Sequence, residues 1–123
     1  MLPDDTREAA SRLVKKRQEV LDTRYGNYQD NLNILARTIY SIIACFELNS
    51  GTADEVVFPL LNMFRAIENK DHGIADMNTR ALQDESSKLP EHIRLSVDAQ
   101  IESLNAYCRN MIDYRLDRLG GER

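Results

Sequence analysis

The sequence has few of the features that mark β-sheet, disulfide-rich or membrane proteins. It contains two cysteines, five glycines and three prolines in 123 residues. Nowhere does it sustain the alternation of apolar and polar residues that is typical of β-strands. Its longest apolar run, Ile42 to Phe46, is far shorter than the roughly 20 residues that span a bilayer. We therefore expect an all-α protein with no membrane-spanning segment.

Positive charge is not concentrated in any part of the sequence. The chain has 16 Lys and Arg against 20 Asp and Glu, a net charge of −4, and acidic residues closely follow its one basic run, Lys15 to Arg17. Phosphate backbones require a concentrated positive face, so we expect no nucleic-acid partner. The first ten residues carry acids and no apolar signal-peptide core, which favours a cytoplasmic protein.

The commonest catalytic signatures are also missing. There is no glycine-rich phosphate loop and no serine in a G-x-S-x-G context. His72 and His92 have no cysteine nearby, which gives a zinc site little support. Cys45 and Cys108 lie within apolar helical patterns, where a reduced thiol acts as a small hydrophobe rather than as a nucleophile or half of a disulfide. We expect no resident cofactor from these residues.

What the sequence does contain is apolar residues that recur every three or four positions in each long segment. Its length and this pattern predict a single domain, residues 1–123, built as a bundle of about four to five helices. The expected helices run from Asp5 to about Thr23, from Tyr28 to Leu48, from Thr52 to Lys70 with a kink or a restart at Pro59, from Ile74 to Gln83, and from Pro90 onward. Asp84 to Pro90 is the clearest loop.

Capping residues set several of these expected boundaries. Gly26 can adopt the left-handed conformation that ends a helix, and Asn27 or Asp30 can cap the helix that follows. Thr52 and Glu55 have the spacing of a capping box. The stretch that contains Tyr25 and Tyr28 is therefore expected to be a helix joint, which the two tyrosines pack.

The last helix carries an apolar stripe about 42 Å long by the standard helical rise. A domain of this size is not expected to bury so long a helix by itself, so we expect the stripe to mediate self-association. The expected interface residues share that stripe: Ile93, Val97, Ile101, Leu104, Met111 and Leu116.

One polar cluster, Glu68 to Asp76, is a candidate metal site. If the third helix continues far enough, Glu68 shares a helical face with Asp71, and carboxylates so placed can hold a hydrated Mg²⁺. Glu68, Asp71 and Asp76 are the candidate ligands. The other interpretation of the cluster is an ordinary solvated helix end, which is common where charged residues precede a glycine.

Three stretches carry a resemblance to a known family: RYGNYQDNLNILAR, TADEVVFPLLNMFRAI and KDHGIAD. Together they are similar to small phage and prophage proteins related to MazG-type nucleotide pyrophosphohydrolases. The resemblance implies an all-α fold, nucleoside triphosphates as substrate and Mg²⁺ as cofactor. It also implies that Asn31 and Arg37 contact the nucleotide, that Tyr25 stacks on its base, and that Asp71 and Asp76 belong to the acidic segment. The first of the family's paired-acid motifs has no counterpart here.

Two functional hypotheses follow. The first is a small, self-associating helical protein, phage- or prophage-borne, that acts by binding a partner protein. The alternative is a Mg²⁺-dependent MazG-like nucleoside triphosphate pyrophosphohydrolase, active or degenerate. We favour the first because an enzyme needs several convergent ligands and the sequence offers one such cluster.

Overall fold

The computed structural model describes residues 4–120, and these residues form five α-helices. The helices are α1 (Asp4–Tyr25), α2 (Tyr28–Ser50), α3 (Asp54–Asn69), α4 (His72–Ser86) and α5 (Glu91–Gly120). The described residues contain no strand. The predicted all-α bundle with a long C-terminal helix is therefore confirmed. None of the five helices is long and apolar enough to cross a membrane.

The joint between α1 and α2 forms as the sequence predicts. Gly26 has a φ of 82°, and its backbone N–H donates to the carbonyl oxygen of Asp22. Asn27 caps α2, because its side-chain oxygen accepts a hydrogen bond from the backbone N–H of Asp30 at 3.0 Å. Glycine is suited to this position because an L side chain rarely adopts a positive φ.

Helix α3 bears on two predictions. Of the kink or restart predicted at Pro59, the restart is wrong, because α3 is one continuous helix in which the proline removes one backbone hydrogen bond and leaves its neighbours free to continue. The expected capping box also does not form. Ala53 occupies the N-cap without a side-chain hydrogen bond, and the Thr52 hydroxyl accepts from the N–H of Asp54 at 3.1 Å.

Helix α4 is longer than predicted at both ends. Asp71 is its N-cap and accepts from the backbone N–H groups of Gly73 and Ile74, so the helix begins at His72 rather than Ile74. It continues through Ser86, and the loop before α5 is correspondingly shorter.

Helix α5 is the centre of the core and packs against each of the other four helices. Val97, Ile101 and Leu104 are fully buried, and Met111 is 1% exposed. Ile93 and Leu116 are partly buried against the same core. The expected interface stripe is therefore covered by the chain's own helices, and its assignment to self-association is corrected to a core role. The apolar pattern of α5 correctly predicts that this face is buried, but the surface that covers it belongs to the same protomer.

Both cysteines are free thiols, in agreement with the expectation from their apolar surroundings. Cys108 is fully buried, and its Sγ donates to the carbonyl oxygen of Met63 at 3.3 Å. Burial raises the pKa of the Cys108 thiol to about 12. Because the thiolate is the reactive form, Cys108 is a packing residue at neutral pH.

Candidate functional site

The three predicted metal ligands have separate structural surroundings. Glu68 is exposed near the end of α3, Asp71 caps α4, and Asp76 forms an ion pair with Arg109 at 2.5 Å. Within residues 4–120, no group of three or more His, Cys, Asp or Glu side chains could hold a metal ion. The structure therefore does not bring these carboxylates together as one Mg²⁺ site, because Asp71 is held by capping and Asp76 by its ion pair, while Glu68 is exposed on α3.

Of the three predicted nucleotide ligands, the structure brings two together. The Asn31 side chain, which is buried, donates to the backbone carbonyl oxygen of Tyr25 at 3.0 Å. The Asn110 amide donates to the same carbonyl oxygen at 2.6 Å. Arg37 instead lies in a shallow groove between α2 and α5, among hydroxyl-bearing side chains that include Ser41 and Ser96. Tyr25 and Asn31 thus stabilise the helix joint, and Arg37 belongs to a different surface.

Tyr114 on α5 is the centre of an aromatic cluster at this joint. Its ring centroid lies 5.0 Å from that of Tyr28 and 6.0 Å from that of Tyr25, the second contact being edge to face. The Gln18 amide donates to the Tyr114 hydroxyl. This geometry agrees with the expectation that Tyr25 and Tyr28 pack the joint. Tyr114 was not identified from the sequence as the centre of this cluster, although it follows Met111 at the three-residue spacing of the buried face of α5.

Polar ties also connect α1 and α4 to α5. Asp117 accepts from Arg24 at 2.8 Å and from the Tyr25 hydroxyl. The hydrogen bond from the Tyr25 hydroxyl to Asp117 is the main cause of a raised pKa of Tyr25, because a phenolate beside a carboxylate is disfavoured, and burial of the hydroxyl raises the pKa further. His72 Nε2 lies 2.7 Å from an Asp113 carboxylate oxygen. Asp113 and Asp117 therefore form interhelical contacts.

Beyond these ties, the N-terminal half of α1 is uncovered. Every side chain from residue 4 to residue 17 is exposed, and α1 packs chiefly against α5, where Leu21 is the buried residue of the helix. Leu13 is 65% exposed and Val14 69% exposed. We refer to Leu13, Val14 and Val20 as the α1 patch. It borders a groove of about 500 Å³ whose rim includes Lys16 and Arg17.

Charge is unevenly distributed along this exposed half-helix. Its first turns carry Asp4, Asp5 and Glu8, and its later turns carry Arg12 and the basic run at residues 15–17. In the part of the chain that the structure describes, the charged side chains between residues 4 and 16 form no ion pair. Among the described residues, the segment therefore combines exposed apolar side chains with acidic and basic groups that form no ion pair.

Comparisons of this chain with protein-family models, with curated proteins and with solved structures found no match. Its function is therefore inferred from its own geometry. The resemblance to MazG-type proteins remains a prediction, and the feature most suited to function among the described residues is the uncovered half of α1.

Proposed function

We propose that the protein is a self-associating helical module that acts by binding proteins, and that the N-terminal half of α1 is its binding element. The observation that carries this proposal is the exposure of the α1 patch on a helix whose C-terminal half is anchored on α5. Apolar side chains grouped on an otherwise polar, uncovered helix mark interaction surfaces. The anchored half holds the exposed half in a fixed direction.

The binding partner that this segment suits best is the same segment of a second copy of the chain, in antiparallel orientation. An antiparallel overlap of residues 4 to 17 packs the Leu13 and Val14 side chains between the two helices. It also places the acidic N-terminal turns of each protomer at the same end as the basic turns of its partner. Because the arrangement is two-fold symmetric, each favourable contact occurs twice. Charge complementarity of this kind fixes the register of a helix pair and favours the correct partner.

The expected dimer is weak. Residues 4 to 16 make a helix about 20 Å long by the standard rise, which offers each protomer less than the roughly 800 Å² of a stable interface. We therefore expect a monomer–dimer equilibrium that depends on protein concentration and on salt, since exposed charges are screened. A weak interface also leaves the same helix free to bind another protein.

The first prediction concerns the α1 patch. Replacing Leu13 and Val14 together with aspartate should abolish the dimer and leave the melting temperature nearly unchanged, because both side chains are exposed in the protomer. Sedimentation velocity over a wide concentration range measures the first effect and calorimetry the second. The matched control is Leu48→Asp, since Leu48 is 85% exposed on α2 and should leave the dimer intact. Equal loss with both variants would contradict the proposal.

Charge-altered variants test whether the partner is a second copy of this chain. Replacing Asp4, Asp5 and Glu8 with lysine makes the exposed half of α1 strongly basic, and replacing Arg12, Lys15 and Lys16 with glutamate makes it acidic, so each variant alone should be monomeric. An equimolar mixture pairs a basic helix with an acidic one and should form a heterodimer at low salt. Failure of the mixture to associate, when the wild-type chain does associate, would exclude pairing through this half of α1.

A further inference from the structure

A second feature of the molecule, a basic pocket, is independent of the α1 patch. It lies between the end of α3 and the C-terminal turns of α5 and has a volume of about 520 Å³. Its lining residues are Tyr28, Lys70, Tyr114, Arg115, Arg118 and Leu119. Pockets of this volume are in the range that holds small molecules.

The three cations of this pocket form no ion pair with any carboxylate among the described residues. Within residues 4–120, no carboxylate forms an ion pair with Lys70, Arg115 or Arg118, although the chain as a whole has a net charge of −4. Arg24, at the end of α1, is by contrast paired with Asp117. Three unpaired cations around one concavity repel one another, and an anion placed between them relieves that repulsion.

The backbone at Lys70 makes this residue suitable for a test. Lys70 ends α3 in the left-handed conformation, with a φ of 53°, and it is the one non-glycine residue with a positive φ in the described chain. Glycine is the favoured residue at such a helix end, because a Cβ is disfavoured there. Replacing Lys70 with glycine therefore removes a pocket cation without adding backbone strain.

The tyrosines restrict what the anion can be. Tyr114 is 3% exposed and its hydroxyl oxygen accepts a hydrogen bond from Gln18 of α1, so Tyr114 forms part of the pocket wall rather than an exposed polar group. Tyr28 is half-buried and packs on that ring. Guanidinium groups match the oxygens of a phosphate in geometry and charge, and a lysine adds a point charge. The pocket is larger than a single phosphate group and has aromatic walls beside its cations.

We propose that this pocket binds a small phosphate-bearing molecule, with Arg115, Arg118 and Lys70 on the phosphate oxygens and the rings of Tyr28 and Tyr114 against the remainder of the ligand. The proposal does not depend on self-association, because none of its residues lies on α1. It requires neither a metal ion nor a chemical step.

The test is titration calorimetry of the wild-type chain with inorganic phosphate, pyrophosphate and phenyl phosphate, each against sodium chloride of equal ionic strength. We expect pyrophosphate and phenyl phosphate to bind more tightly than phosphate, the first through added charge and the second through the rings. Lys70→Gly and Arg115→Gln should each weaken binding by about tenfold or more, as expected for a lost charge-assisted hydrogen bond. Arg65→Gln, which removes an exposed cation elsewhere on α3, is the matched control.

Lys70→Gly separates binding from folding. Because glycine favours a positive φ, this variant should melt at the same temperature as the wild-type chain or at a higher one while its affinity for pyrophosphate falls. The proposal is overturned if none of the three anions binds above the sodium chloride control, or if Arg65→Gln weakens binding as much as Arg115→Gln does. It is also overturned if the pocket variants leave anion binding unchanged and instead shift the monomer–dimer equilibrium, which would assign the pocket to an acidic protein segment.

Discussion

Replacing Leu104 with alanine is expected to lower the free energy of unfolding by about 2–5 kcal/mol and to leave self-association unchanged. Leu104 is fully buried in the cluster that α5 forms with the other helices. Removing its side chain takes apolar area out of the core and leaves a cavity that neighbouring side chains fill only in part. Chemical denaturation gives the change in stability, and sedimentation velocity gives the change in association.

The control for this prediction lies on the same helix. Leu95 is 73% exposed, so Leu95→Ala should change the free energy of unfolding by no more than about 0.5 kcal/mol. The two variants delete the same atoms from one helix and differ in burial alone. If Leu104→Ala weakened association without lowering stability, the stripe of α5 would be an interface after all, and its assignment to the core would fail.

The case of α5 shows what helical periodicity predicts and what it does not. The spacing of Val97, Ile101 and Leu104 correctly identifies the face of the helix that is removed from water. It carries no information on whether the covering surface belongs to the same chain. A fixed apolar stripe can be buried by helices of one protomer or by a second protomer, and the contacts that decide between them join residues far apart in sequence.

Local signals were reliable where one residue determines the backbone. Gly26 and Asn27 ended one helix and began the next as expected, because a positive φ and an N-cap depend on adjacent atoms. At Pro59 the same local reasoning allowed a kink or a restart, and the restart does not occur, because burial of Leu60 and Met63 keeps α3 continuous. Tertiary packing outweighed the propensity of one residue.

The polar residues were the hardest to assign from sequence. Asp71 and Asp76 look alike in the sequence as members of one acidic cluster. In the structure Asp71 caps α4, whereas Asp76, on α4, forms an ion pair with Arg109. Arg109 lies on α5 and could not be linked to Asp76 by spacing. The basic pocket was missed for the same reason, since Lys70 joins Arg115 and Arg118 only when α3 has packed against α5.

Replacing Tyr114 with alanine is the second change expected to have a large effect. Its ring contacts Tyr25 on α1 and Tyr28 on α2, and its hydroxyl accepts from Gln18 on α1. Truncating a buried aromatic residue typically costs about 3–5 kcal/mol. Because α1 packs chiefly against α5, we expect α1 to detach while α2 to α5 stay folded. Amide hydrogen exchange should then show faster exchange along α1 and retained protection in α3.

Tyr114→Phe distinguishes the ring from the hydroxyl. Phenylalanine keeps both aromatic contacts and loses the hydrogen bond with Gln18, a change worth about 1 kcal/mol, so α1 should remain protected from exchange. If the phenylalanine variant released α1 as fully as the alanine variant does, the hydrogen bond would be the main anchor and the aromatic cluster would be secondary. If neither variant released α1, the ion pair between Arg24 and Asp117 would hold the helix. We expect Tyr114→Ala to release α1 far more than Tyr114→Phe does. That result would mean that packing of the Tyr114 ring holds α1 in the orientation that leaves Leu13 and Val14 exposed.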